Sequence, residues 1–232
     1  MKVFYCKDAK PDAICRLDEG ESHHAITVMR LKSGDEIYLM DGKGNLYAAR
    51  LLNEDKKNNE VAVEKLLRTE EKKYFLHIAI APTKHFDRME WFVEKAVELG
   101  INRITPIICA RSERKEIKNE RLEKIALAAA KQSKQLYLPH IDSAIPFIKF
   151  ILTELPQKRF IAFCHSKEDS LKDHISNLSE CLFMIGPEGD FTEEEIEAAT
   201  LKGFQTISLG SSTLRTETAG IFVCAVLRFL NI

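Results

Sequence analysis

Two spacings of apolar residues divide this chain. Up to about residue 70 the apolar positions come in short runs, at 2–6, 36–41, 46–52 and 60–67, separated by glycines and charged turns such as Asp41-Gly42-Lys43-Gly44. Short runs bounded by turn residues read as β-strands, and four of them with no long helix between predict a small β-barrel. Between the first two, residues 23–31 carry a helical spacing that closes at Gly34, with His23 and His24 read as helix-start residues rather than metal ligands. The charged stretch 68–73 reads as a linker.

Beyond it the period changes. A strand over 76–81 ends at Pro82, and a helix over 87–99 places Met89, Phe92, Val93, Ala96 and Val97 on one face. Asp87 and Glu90 have capping-box spacing, Gly100 supplies the stop, and Trp91 is expected in the core or at an interface. The alternation continues with strands over 104–109, 160–163, 182–185 and 206–209, and helices over 119–135, 192–202 and 216–230. Strands alternating with helices predict an α/β domain built on a mostly parallel sheet. Ligands of such sheets bind beyond the carboxyl ends of the strands, so the loops after Ala81, Phe163, Ile185 and Leu209 are the places where a site is expected.

Composition refines this picture at two points. The 232 residues are 45% hydrophobic, enough for a sizeable core, and no apolar run approaches the roughly 20 residues that span a bilayer, so a cytoplasmic protein is expected. The six cysteines, Cys6, Cys15, Cys109, Cys164, Cys181 and Cys224, show no C-x-x-C pair, so they are expected to be reduced and mostly core, with no metal site. The net charge of −1 conceals an asymmetry. Residues 84–134 hold twelve Lys/Arg against eight Asp/Glu, whereas 166–200 hold two against ten. Such a distribution can orient a polyanion on one face.

Two loops carry the candidate chemistry. Gly186-Pro187-Glu188-Gly189-Asp190-Phe191 joins an apolar strand to a helix with Thr192 and Glu195 at capping-box spacing. Its glycines and proline let backbone amides and carbonyls approach a ligand. Its acidic surroundings and the lack of a G-x-x-x-x-G-K-[ST] or G-x-G-x-x-G motif argue for a neutral or cationic ligand rather than a phosphate. The stretch SLGSSTLRTETAGIF at 208–222 is far more polar than one N-cap requires. Placed beside the first loop, it would enclose a flat heterocycle between apolar walls from Ile185, Leu209 and Leu214, leaving Arg215 for an anionic partner.

GPEGDF, LGSSTLRTETA, KHFDRMEWFVEKAVELGINRITPI, RLEKIALAAAKQSKQLYLP and, at 23–37, HHAITVMRLKSGDEI resemble the 16S rRNA (uracil-N3)-methyltransferases of the SPOUT class, the RsmE type. The likeness covers almost the whole chain. It implies a PUA-like, RNA-binding β-barrel over 1–70 and a SPOUT methyltransferase domain over 74–232, with a trefoil knot over about 160–232. It also implies a homodimer, S-adenosylmethionine as methyl donor, and a uridine of 16S rRNA in the small ribosomal subunit as substrate.

Carried over by position, Phe163, Cys164, Ile185, Gly186, Pro187, Glu188 and Gly189 would form one wall of the donor pocket. Leu209, Gly210, Ser211, Leu214 and Thr218 would form the other. Arg215 and Glu217 would face the reacting centre. Uridine N3 becomes nucleophilic only on losing its proton, so Arg215 could stabilise the developing anion while Glu217 accepts the proton or orients Arg215. Arg16, Arg30, Lys32, Lys84, Arg88, Arg111 and Arg114, with Lys115, are candidates for RNA phosphate contacts. The chain departs from the family at Asp190, where a glycine is usual, at Thr213, where an aliphatic residue is usual, and at Gln135, where an arginine often stands. The first departure leaves room for a second reading, an RNA-binding protein without turnover.

Overall fold

A computed structural model describes residues 2–163, 170–174 and 179–231. The chain forms two compact units, one of residues up to 71 together with 130–138, the other of 72–129 and 139 onward.

The first unit contains β1 (Val3–Tyr5), β2 (Ala13–Arg16), α1 (Glu19–His23), a π-helical turn at His24–Val28, β3 (Glu36–Met40), β4 (Asn45–Leu51) and β5 (Glu60–Thr69). Its sheet runs β1-β3-β4-β5-β2, with β1 parallel to β3 and the other pairs antiparallel. Phe4 from one end strand and Cys15 from the other enter the same core as Ile37, Leu39, Ala49 and Val61, so the sheet curls around a single apolar centre. Three details differ from expectation. β2 has no apolar alternation to announce it, because Ile14 points outward at 65% exposure. The early helix starts at Glu19, where the Asp18 carboxylate accepts from Glu21 N at 2.8 Å; a cap upstream of Gly20 was hidden by that glycine, and His23 and His24 fall at the end of α1 and the start of the turn. β5 continues through Thr69, so part of the expected linker is strand.

The second unit contains β6 (Phe75–Ile80), α2 (Phe86–Glu98), β7 (Arg103–Ile108), α3 (Asn119–Ser133, whose last residues belong to the first unit), β8 (His140–Ile141), β9 (Ile145–Pro146), α4 (Phe147–Phe150), β10 (Arg159–Ala162), α5 (Leu171–His174), β11 (Glu180–Ile185), α6 (Glu193–Leu201), β12 (Gln205–Ile207) and α7 (Thr216–Leu230). The sheet order is β12-β10-β11-β6-β7-β8 with β9 also on β7, and the pairings are parallel throughout. β8, β9 and α4 are too short to show a period, and the sequence pattern does not reveal them.

The longer helices follow their apolar spacing. α2 buries Met89, Phe92, Val93, Ala96 and Val97, the face read from the sequence. Its cap is not the expected one: His85 occupies the N-cap without a side-chain bond, and Glu90 pairs with Arg121 instead. Trp91 is not core but 44% exposed. α7 lies against α2 through Gly220, where a Cβ would come within 2.5 Å of the Phe92 ring. No helix among the described residues is long and apolar enough to cross a membrane.

Register sets up the site. Ile80 pairs with Ile185, Ala162 with Ile185, and Ala162 with Ile207. The carboxyl ends of four adjacent strands therefore stand in one row, and the chain leaves β10, β11 and β12 from neighbouring points.

Candidate functional site

At that row lies a cavity of about 220 Å³, lined by Ala162 and Phe163 after β10, by Ile185 to Glu188 and Asp190 after β11, and by Ser208 to Thr216 and Ala219 after β12. Most of the lining residues are glycine, alanine, serine or threonine, with Phe163, Ile185, Leu209 and Leu214 as apolar surfaces. This is the composition of a pocket for a flat, mostly apolar ligand read at its edge by main-chain groups.

The β11 loop is held in place from several sides. Arg111 Nη1 donates to Gly189 O at 2.7 Å and to Phe191 O at 3.3 Å. Lys84 N donates to Glu188 Oε1 at 3.0 Å, and Asp190 N to Pro187 O at 2.9 Å. Asp190 sits at φ 61°, in the left-handed region, and its Oδ1 accepts from Phe191 N at 2.8 Å. Aspartate tolerates that conformation better than most side chains because it bonds its own backbone, which is how the loop holds a positive φ here without a glycine. Thr192 and Glu195 form the expected capping box at the start of α6, and the other Glu195 oxygen accepts from Ala110 N at 2.8 Å.

Among the described residues the β12 loop has fewer internal ties. Ser208 Oγ bonds both the N–H and the carbonyl of Gly210, at 3.2 and 3.1 Å. Gly210 to Thr213 are exposed. The loop ends where Thr216 Oγ1 donates to Gly186 O at 2.9 Å, a buried bond joining the two walls. Arg215 is the N-cap of α7 in extended conformation, makes no side-chain capping bond, and lines the cavity as an exposed cation.

Of the residues expected at the cofactor, Phe163, Ile185, Gly186, Pro187, Glu188, Leu209, Gly210, Ser211 and Leu214 line this cavity together. Gly189 and Thr218 do not: Gly189 packs on the Arg111 side chain, 3.3 Å from a Cβ placed there, and Thr218 is exposed on α7. Cys164 lies outside the described residues. Ala162, Asp190, Ser208, Ser212, Thr213, Thr216 and Ala219 also line the cavity. Thr216 and Ala219 were within a motif already singled out, whereas Ala162 becomes visible only through strand register.

Glu217 departs from its expected setting. Its carboxylate is 7% exposed and does not line the cavity. It neighbours Arg88 Nε at 3.9 Å rather than Arg215, and its Oε2 has no hydrogen-bond partner among the described residues. Arg88, read as an RNA contact, thus faces a buried carboxylate.

Most other cations of that set are already engaged. Arg16 pairs with Glu60 at 3.0 Å and Lys32 with Glu54 at 3.1 Å, while Arg30 is exposed at φ 54°. Lys84 Nζ lies 2.8 Å from Glu113, whose carboxylate raises the ammonium pKa. Arg114 donates to Lys84 O at 3.1 Å and stands 5.3 Å over the Phe86 ring. Exposed ion pairs are weak and exchangeable, so Arg16, Lys32 and Lys84 keep charge at the surface. Arg111, by contrast, is committed to the β11 loop.

The chain thus contains a parallel sheet with a pocket of small residues at its carboxyl edge and, as a separate unit, a curled β-sheet. Residues 70–228 match the family described as RNA methyltransferase domain and residues 17–64 the RNA methyltransferase PUA domain, so the protein is an RNA methyltransferase. The chain belongs to the ribosomal RNA small subunit methyltransferase E family. It is 34% identical to that enzyme of Rickettsia conorii over 90% of this chain and 86% of the relative, and 28% identical to that of Aquifex aeolicus over 98% and 99%. Among solved structures, a probable rRNA-methyltransferase from Porphyromonas gingivalis superposes with a TM-score of 0.88 at 38% identity, covering 100% of this chain and 98% of that one. The Neisseria gonorrhoeae ribosomal RNA small subunit methyltransferase E bound to S-adenosyl methionine gives 0.88 at 28% identity, covering 99% and 98%.

Proposed function

We propose that this protein transfers a methyl group from S-adenosylmethionine to N3 of a uridine in the 16S rRNA of the small ribosomal subunit, and so acts in the cytoplasm. The observation that carries this reading is the convergence of the β10, β11 and β12 exits on one cavity of small residues with Arg215 beside it. The residues suit the donor. Phe163, Ile185, Leu209 and Leu214 offer apolar surface for an adenine, glycine-bounded main chain offers edge contacts, and the Glu188 and Asp190 carboxylates favour a cationic sulfonium. When bound, the donor supplies an electrophilic methyl group.

The protein's part is then positioning and charge. Arg215, cationic and without an ion-pair partner among the described residues, stabilises the negative charge that spreads onto a uracil oxygen as N3 loses its proton. Thr216 holds the start of α7 to the β11 wall, so Arg215 keeps its place relative to the pocket. Glu217 is buried beside Arg88 and secures the first turn of α7 instead of meeting substrate. RNA phosphates are held by exposed Arg16, Arg30, Lys32 and Lys84 with Arg114, and the ion pairs of Arg16, Lys32 and Lys84 exchange for phosphate contacts.

A trefoil knot over about 160–232 and a homodimer complete the reading. The family resemblance supports both, and for the dimer so does an apolar stripe on α7, where Phe222 is 40% and Phe229 77% exposed. The deciding experiment is transfer of labelled methyl from S-adenosylmethionine to small subunits lacking the modification, followed by nucleoside analysis. Label in 3-methyluridine is expected; label in any other nucleoside, or none, overturns the substrate assignment.

A further inference from the structure

In the first unit the sheet ends at β1 on one side and β2 on the other, and among the described pairings no backbone ladder joins these two strands. Sulfur lies across that gap. Cys6 follows β1 and Cys15 sits in β2, and the two side chains enter the same core from opposite ends of the sheet. Cys6 Sγ also donates to Arg16 O at 3.9 Å. Both residues belong to the same core, at 6% and 8% exposure. The connection between them is tightly turned: Ala9 N donates to Cys6 O at 3.2 Å, and Asp12 adopts φ 58°.

The other described cysteines contrast with this pair. Burial pushes the thiols of Cys109 and Cys224 far up and that of Cys181 up to about 12, which leaves little reactive thiolate. Cys6 moves the opposite way because the Cys15 S–H hydrogen-bonds to its sulfur, and Cys15 moves up for the same reason. Cys6 is therefore the thiol whose setting favours the thiolate, and Cys15 lies in the same core as the neighbouring sulfur.

We propose that Cys6 and Cys15 form a reversible oxidation site, closing a disulfide across the β1/β2 seam with hydrogen peroxide as the oxidant. The Cys6 thiolate attacks one peroxide oxygen, the O–O bond breaks, and the hydroxide that leaves takes up the proton Cys6 has given to solvent, forming water. Cys6 is then a sulfenic acid. The Cys15 sulfur attacks the Cys6 sulfur, the S–O bond breaks, and the hydroxyl leaves with the Cys15 proton as a second water. Two thiols are oxidised to one disulfide and one peroxide is reduced to two waters. Both cysteines precede the stretch 17–64 that matches the PUA domain, so the site lies outside that shared pattern.

The full-length protein is treated with graded hydrogen peroxide, quenched, alkylated with iodoacetamide in denaturant and digested without reduction. We expect a Cys6–Cys15 linked peptide, an intact mass lowered by two hydrogens, reversal by dithiothreitol, and oxidation of this pair roughly 10-fold or more ahead of the other cysteines. Cys15→Ser is expected to stop at a Cys6 sulfenic acid that dimedone captures. Sulfenic or sulfinic acid on wild-type Cys6 without the linked peptide, earlier oxidation of Cys181 or Cys224, or no oxidation of either residue overturns the proposal.

Discussion

The two principal walls of the pocket are built differently. The β11 loop is held by Arg111, by the Lys84 amide, by Asp190 bonding the next residue, and by the Thr192 cap beneath it. The β12 loop is held at its ends, through Ser208 and through Thr216, with exposed residues between. A wall whose polar groups are bonded within the protein is pre-organised, and the ordering entropy has been lost on folding rather than on binding. The other wall has fewer such bonds among the described residues, and its residues 210–213 are exposed. The contrast assigns shape to the first loop and recognition to the second, with Arg215 at the end of the second.

The sharpest way to break this contrast is Arg215→Ala. If Arg215 stabilises charge in the transition state, methyl transfer falls about 10²–10³-fold while donor affinity by calorimetry stays near wild type. An equal loss of affinity and rate would make it a binding residue. Thr216→Val comes next, because it leaves the buried Gly186 carbonyl unpartnered and separates the walls. A loss of about 1–3 kcal/mol in stability is expected by denaturant unfolding, with weaker donor binding.

Two smaller changes test the pre-organised wall alone. Asp190→Val puts a β-branched side chain at φ 61° and is expected to destabilise by about 1–2 kcal/mol, whereas Asp190→Gly restores the family residue and should stay within about 0.5 kcal/mol of wild type. Equal melting temperatures for the two variants would remove the argument from left-handed backbone. Thr192→Ala removes the α6 cap and should cost about 1 kcal/mol, with methyl transfer at saturating donor unchanged.

The same contrast separates what could be read from the chain and what could not. The β11 wall is made of local signals: a strand, a glycine and proline turn, and a capping box, each specified by residues adjacent in sequence. At Asp190, where the resemblance leads to an expectation of glycine, the backbone takes positive φ, and Asp meets that need through its own side chain. Glu217 was misplaced for a complementary reason. Its closeness to Arg215 in sequence suggested a pair, but residues two apart at the start of a helix point to opposite sides of its axis, and Gly220 packed on Phe92 brings Arg88 of α2 to it instead. The commitment of Arg111 to Gly189 and Phe191 spans 78 and 80 positions, beyond any local pattern.

Periodicity and turn chemistry in the chain were enough to specify α2, α6 and α7, the alternation that makes a parallel sheet, and the two loops that line the cavity, because these depend on neighbours within a few residues. The tertiary structure alone decided that Ala162, Ile185 and Ile207 stand in one row, that Glu217 turns to Arg88, and that Cys6 and Cys15 meet across a seam. Those outcomes depend on strand register and helix packing, which bring together residues whose separation along the chain carries no signal of their contact.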